Sequence, residues 1–317
     1  MTVLASGSKG NATVIAAGST RILVDAGMSC RELMKRMAMV GEDPETLDAI
    51  LITHEHVDHV AGLSVLARRL KIPVFFTEST HRAWVRMVTP RTTMSYAKWL
   101  ETVQREKEAR AAATAVMVDE PVMVDDPLET EPLASEEATI PKAKADPAAL
   151  PAVEYFRAGH GFSVGEIDVS PFTIPHDAAD PCGFVFHARA ESIRMAIATD
   201  LGYVPPNVKM ALRGVDVLLL ESNHDLEMLK DGPYPWSVKQ RVLSRVGHLS
   251  NAAAAEFLQR DYDGGAHTIV LGHISEQNNL PELARLAAEQ AIRERMSLLG
   301  NRLLLAAQDV PLEPISL

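Results

Sequence analysis

The sequence predicts an α/β layered domain, and three observations carry that expectation. Short apolar runs of strand length alternate with longer segments of helical spacing in both halves of the chain. Several of those runs stop at a His, Asp or Glu just before a turn. Hydrophobic residues make up 47% of the 317, enough to bury a core between stacked layers.

The elements follow in order. Val14-Ile15-Ala16 and residues 21–25 read as a hairpin, with residues 17–20 as its turn. Ser6-Gly7-Ser8-Lys9-Gly10-Asn11 is a Gly-rich loop, either a tight turn or a set of backbone N–H groups open to a phosphate. Ser29 can cap a helix through Ala38, with Glu32 as capping-box partner. Ala49-Ile50-Leu51-Ile52 reads as a buried strand, and residues 60–67 as the start of a helix. A strand at 73–76, a helix from about Ser79 and a long polar helix near 95–113 come next. Residues 114–151 are rich in Pro, Ala and acid with few aromatics, which reads as a flexible acidic insertion within a single domain of residues 1–317. Strands are expected at 153–156, 167–174, 183–187, 193–199, 215–220, 268–271 and 302–306, and helices at 236–246, 251–259 and 281–299.

Cys30 and Cys182 lie far apart and form no ligand spacing, which fits a reducing compartment and no disulfide scaffold. No basic leader precedes the Gly-rich loop, and no apolar stretch is long enough for a bilayer. The expectation is a cytoplasmic protein with no membrane partner. The formal charge of -11 disfavours nucleic acid at first sight. Residues 119–146, however, hold nine acids against two lysines, a net of -7, which leaves -4 for all the rest. A body that mildly acidic can still carry a basic groove.

The densest chemistry is Thr53-His54-Glu55-His56-Val57-Asp58-His59, on the turn between the strand at 49–52 and the following helix. Three imidazoles and a carboxylate within six residues suit zinc and its first-row neighbours. A pair of ions needs more ligands, and the candidates are His and acidic residues at later strand ends.

His54, His56, Asp58 and His59 resemble the signature of the metallo-β-lactamase superfamily. The resemblance implies a four-layer αββα sandwich holding two divalent metal ions, zinc or manganese, at one edge between its sheets. It implies a supporting hydrogen bond from Asp25, and ligands at His176, Asp200 and His273. His54, His56 and His176 would hold one ion, and Asp58, His59 and His273 the other, with Asp200 between them. The superfamily also contains lactamases and thioesterases, so the fold alone does not choose a substrate.

Glu221 ends the apolar strand at 215–220, and Gly247-His248-Leu249-Ser250-Asn251 precedes a helix. This resembles phosphodiesterase branches, including tRNA 3′-processing nucleases, and implies a proton-relay pair, His248 as acid and Glu221 as its orienting partner. The other reading of this turn is a plain helix cap by Ser250. His81, His160, His187 and His267 lack a second ligand at useful spacing. Lys239, Arg241 and Arg245 could meet phosphates or simply face solvent. Together with His176-Asp177-Ala178, Glu221 to Asp225, Gly232-Pro233-Tyr234-Pro235 and His273-Ile274-Ser275, these stretches resemble the YycJ/WalJ-type branch of 5′-to-3′ DNA exonucleases. The expected function is therefore a dinuclear metal-dependent phosphodiesterase acting on nucleic acid, with DNA favoured. The alternatives are a phosphodiesterase of small cyclic or linear substrates and a non-catalytic, metal-stabilised interaction protein.

Overall fold

The structure is a computed structural model that describes residues 1–89, 100–101, 103–105, 146–293 and 302–317. Contacts divide the chain into one unit of Met1–Val88 with Pro147–Leu317 and a second of Thr89–Asp146, and the first is described below. Most of the helix expected near 95–113, most of the 114–151 insertion and the end of the helix expected over 281–299 lie outside the described residues.

Two mixed sheets form the centre. The first takes Thr2–Ala5 (β1), Ala12–Ala17 (β2), Thr20–Val24 (β3), Ala49–Leu51 (β4), Val74–Phe76 (β5) and Val153–Tyr155 (β6), side by side in that order. The second takes Phe162–Val164 (β7), Ile167–Thr173 (β8), Cys182–Ala188 (β9), Ile193–Ala198 (β10), Val217–Glu221 (β11), Thr268–Gly272 (β12) and Arg302–Leu305 (β13), also in sequence order. The strands from β3 to β6 are parallel neighbours, and so are those from β10 to β13. Hairpin pairs complete each sheet.

Successive strand residues point to opposite faces, so a strand buried on both sides must be apolar throughout. β11 shows the result. Val217 and Leu219 join Ile15, Ile22, Val169, Phe184 and Val270 between the two sheets. Leu218 and Leu220 point the other way, against Val208 of Pro206–Ala211 (α5), Phe257 and Leu258 of Asn251–Arg260 and Ala284 and Ala288 of Pro281–Ile292. On the first sheet Leu4, Val14, Leu23, Ile50 and Phe76 meet Leu33 and Met37 of Cys30–Met39 (α1), Leu63 and Leu66 of Leu63–Leu70, and Trp84 of Glu78–Val88. Three apolar layers between four layers of secondary structure make the chain an αββα sandwich.

Several expectations shift in detail. α1 is capped by Ser29, whose side chain accepts from Glu32 N, but the Glu32 carboxylate pairs with Arg36 instead of closing a capping box. The helix expected from residue 60 is two pieces, Val57–Val60 and Leu63–Leu70, parted at Gly62, whose N–H bonds Ala26 O at 2.8 Å. The helix expected over 236–246 stops at Val242. Beyond it Val246 O and Gly247 O turn outward to accept from residues 177 and 176. β1, β7, α5 and a short helix at Leu226–Asp231 (α6) were not legible, being brief and weakly patterned. No described helix is long and apolar enough to cross a membrane.

Candidate metal centre

The site forms where strands end. Asp25 follows β3, Thr53 and His54 follow β4, Asp200 follows β10, Glu221 closes β11 and His273 follows β12. β8 runs in the same direction as β10, because both are antiparallel to β9, so its extension delivers His176 to the same edge. Carboxyl ends of parallel strands are the usual ligand edge of such sheets. Asp25, Asp200 and His273 adopt φ of 61°, 62° and 54°. Left-handed backbone costs a residue with a Cβ roughly 1–2 kcal/mol, and such strain collects at functional sites. Here it turns each chain end sharply, so that the side chain enters the space between the sheets.

Two triads result, with ligand atoms mutually within 4.8 Å: His54, His56 and His176, and Asp58, His59 and His273. Asp200 adjoins both, with Oδ2 at 3.5 Å from His59 Nε2 and Oδ1 at 4.0 Å from His176 Nε2.

Each imidazole is held by its outward nitrogen. His54 Nδ1 lies 3.0 Å from Thr53 Oγ1, and His56 Nε2 lies 3.2 Å from Asp177 O. His59 Nδ1 lies 2.8 Å from Asp25 Oδ2, His176 Nδ1 lies 3.1 Å from Gly247 O, and His273 Nδ1 lies 2.8 Å from Glu221 Oε1. Partners of this kind fix ring orientation and leave the other nitrogen for a metal. The fit to divalent metal is tested by what remains. His54 Nε2, His273 Nε2 and Asp200 Oδ2 are buried with no hydrogen-bond partner. Such atoms are costly unless something binds them. Nitrogen and oxygen donors in these numbers suit zinc or a first-row neighbour.

Charge is strongly tuned. Burial and four neighbouring imidazoles, His59 first, push His54 well below its usual range. Burial opposes protonation of His59, but Asp25, Asp200 and Asp58 overcome it and raise its pKa to about 9. His273 is raised in the same way, against burial, by Asp200, Asp58 and Glu221. Glu221 is fully buried, yet the two histidines bonded to it, His248 first, hold its carboxyl well below the usual range.

Glu221 is the hub of the second sheet's edge. Oε1 meets Nδ1 of both His248 and His273 at 2.8 Å, while Oε2 accepts from Leu201 N and Leu249 N. Ser250 caps the helix at 251–260 as well, accepting from Ala253 N, so the helix cap and the His248–Glu221 contact occur together in this turn. His248 Nδ1 is committed to Glu221, which leaves Nε2 for the cleft. That cleft, about 240 Å³, runs over Asp58, His273 and His248 and is walled by Ser8, Asn223, Tyr234, Arg241 and Ser275.

Other expected residues divide. The Gly-rich loop is a locked turn, with most of its backbone N–H groups engaged within the protein. Its N–H groups at Gly7, Lys9, Gly10 and Asn11 go to Asn11 Oδ1, Gln308 Oε1, Gly7 O and Asp58 O. The loop is clasped from the C-terminal segment, with Ser6 N donating to Ala307 O and Gln308 Nε2 to Gly10 O, while Ser6 Oγ accepts from His273 N. Lys239 is buried, and its Nζ donates to Lys230 O, so it is structural. Arg241 lines the cleft and pairs with Asp177; Arg245 lies over the Tyr203 ring. His224 is buried beside the site, with neither ring nitrogen bonded, and burial lowers its pKa to about 4. His81 bonds Tyr155, and His160 is exposed in its turn. Three contributors escaped the sequence reading. Thr53 ties Asp25 to His54 and His59, and Asp177 links His56 to Arg241. Asn11 Nδ2 sits 3.1 Å from His59 Nε2. Their signal was only adjacency to a motif histidine or to the Gly-rich loop.

A family model of the metallo-beta-lactamase superfamily matches residues 5–273. The chain is 32% identical over 284 residues to an exodeoxyribonuclease WalJ of Streptococcus pneumoniae, covering 90% of this chain and 84% of that protein. It is 31% identical over 293 residues to an exodeoxyribonuclease YycJ of Bacillus anthracis, covering 92% and 89%. Among solved structures, the metallo-beta-lactamase fold protein YhfI from Bacillus subtilis superposes with a TM-score of 0.60 at 14% identity, covering 98% of each chain.

Proposed function

The chain belongs to the metallo-β-lactamase superfamily, and on that premise we propose a dinuclear metal-dependent phosphodiesterase that removes nucleotides from a DNA end, in the 5′-to-3′ direction. The exodeoxyribonucleases named above support the substrate class. The observation that carries the chemistry is Glu221 Oε1, which holds a metal-facing histidine and a cleft-facing histidine at 2.8 Å each.

In this reading His54, His56 and His176 hold one ion of zinc or manganese, Asp58, His59 and His273 hold the second, and Asp200 adjoins both. When bound, the ions supply Lewis acidity to a phosphoryl oxygen and acidify the attacking water. Asp58, whose side chain keeps 23% exposure and lines the cleft, would orient the attacking water there. His248 donates a proton from Nε2 to the departing alkoxide oxygen, and Glu221 orients the ring through Nδ1. A lactamase or thioesterase would not need Glu221 and His248 as a pair. We further assign residues 1–317 to one domain with 114–151 as an insertion, since β5 and β6, which flank it, are paired neighbours.

The test offers the zinc- or manganese-loaded protein end-labelled DNA, RNA, a small phosphodiester reporter and a thioester. DNA shortened from its 5′ end is the expected result. His248→Ala should slow that digestion about 10²-fold or more. Turnover of the thioester alone, or full activity in His248→Ala, overturns the reading.

A further inference from the structure

The segment from Arg241 to His248 is fastened to the metal-ligand loops along its whole length. Arg241 pairs with Asp177, beside the ligand His176. Asp177 N donates to Val246 O at 3.1 Å, His176 Nδ1 lies 3.1 Å from Gly247 O, and His248 bonds Glu221. On the other side the loop after Asp200 presses directly on this segment. A Cβ on Gly202 would stand 2.4 Å from the Arg245 carbonyl carbon, so glycine is required for that approach. Arg241 and Arg245 are therefore carried at a fixed offset from the centre.

Their side chains are prepared for an anion in different ways. Arg241 lines the cleft together with Asp58 and His248, and Asp177 aims it there. Arg245 lies with its guanidinium carbon 4.2 Å from the centre of the Tyr203 ring. Tyr203 is three residues beyond Asp200, so the same loop supplies both a metal-facing carboxylate and the ring. A guanidinium over an aromatic ring keeps its fork of N–H donors, and that fork matches a phosphate. The need for such groups is electrostatic. Asp58 lines the cleft, with Asp200 and Glu221 buried behind its histidines, in a chain of net charge -11, and a polyanion must be met by local cations.

We propose that Arg241 and Arg245 bind two successive phosphates of one strand, Arg241 the phosphate at the centre and Arg245 its neighbour. This rests on the nuclease reading and sharpens it, because it makes a run of phosphates, and not a single phosphodiester, the preferred substrate. Arg245 is then a specificity residue and takes no part in bond cleavage.

The experiment measures binding of a fluorescent, phosphorothioate-protected single-stranded oligonucleotide to metal-loaded protein across a range of KCl. Arg245→Ala is expected to weaken binding about 10- to 100-fold, as for loss of a charge-assisted hydrogen bond. It should also make the slope of log affinity against log salt shallower by about 0.7, one phosphate contact on a single strand. The ratio of kcat/KM on the strand to kcat/KM on bis(p-nitrophenyl) phosphate should fall by the same factor. Arg245→Lys should restore the slope, and Tyr203→Leu should weaken binding without changing it. These two variants decide the matter if Arg245→Ala does not fold. DNA digestion by the wild type with unchanged affinity and slope in Arg245→Ala overturns this inference alone. A wild-type protein that turns over the reporter but binds no strand overturns the nuclease reading and this inference with it.

Discussion

The two ligand triads sit side by side at one edge, yet they are anchored by opposite chemistry. In the His54, His56 and His176 triad the outward nitrogens meet a hydroxyl and two backbone carbonyls, all neutral. In the Asp58, His59 and His273 triad they meet carboxylates, Asp25 and Glu221. Neutral anchors leave His54 neutral, and burial drives its proton off. Carboxylates make His59 and His273 basic, Asp25 first for His59 and Asp200 first for His273. In one triad His54 is already a free donor. The other must release protons before an ion can bind, and in return offers stronger donors.

The largest effect should come from the group that joins the triads. Asp200→Ala is expected to lower kcat/KM on DNA about 10³-fold, several kcal/mol of lost transition-state stabilisation, and to reduce metal per chain on elemental analysis. Two retained ions with a rate within about tenfold of wild type would mean the triads work without it.

Next is the pH dependence of the metal-stripped protein, where the triads should have opposite signatures. His59 has a folded pKa of about 9, above its unfolded value. Its contribution is complete below about pH 6.5 and is lost as pH rises through 9, on the order of 3 kcal/mol. His54 is depressed, so its contribution is present above about pH 6.5 and is lost as pH falls. Thermal melts should therefore peak near pH 6.5 and fall on either side, and added zinc should remove the alkaline loss. A flat profile from pH 6.5 to 10 would erase the contrast.

The smallest effect sharpens the comparison most. Glu221→Gln keeps a side chain of the same size but removes the charge shared by His248 and His273. Zinc titration should show one of two phases weakened about 10- to 100-fold, with the other unmoved. Equal weakening of both phases would show that the triads are not independently anchored.

The residues that converge at this edge were legible because each is a strong donor ending an apolar run. His54 to His59, His176, Asp200 and His273 all carry that signature, and the structure brings them together. The unbroken apolar run along β11 likewise announced burial on both faces, hence the layers. The anchors were harder to read. Thr53 and Asn11 act through one hydroxyl and one amide, groups that sit in turns everywhere, and nothing local says which turn faces the centre. Lys239 shows the reverse failure. Its charge suggested solvent or phosphate, but a lysine stem can be buried when a carbonyl receives its tip. The helix over 236–246 was read too long because its last carbonyls are claimed by the loop of His176, a partner some seventy residues earlier in sequence.

Residues 307 and 308 hold the loop at 6–10, and that loop's Ser6 supports the backbone of His273. These two residues are translated after both sheets are otherwise complete. The centre is thus latched last, by a stretch that offers no ligand of its own. Replacing Gln308, far from any motif, would slacken the loop at 6–10 and through Ser6 the backbone of His273.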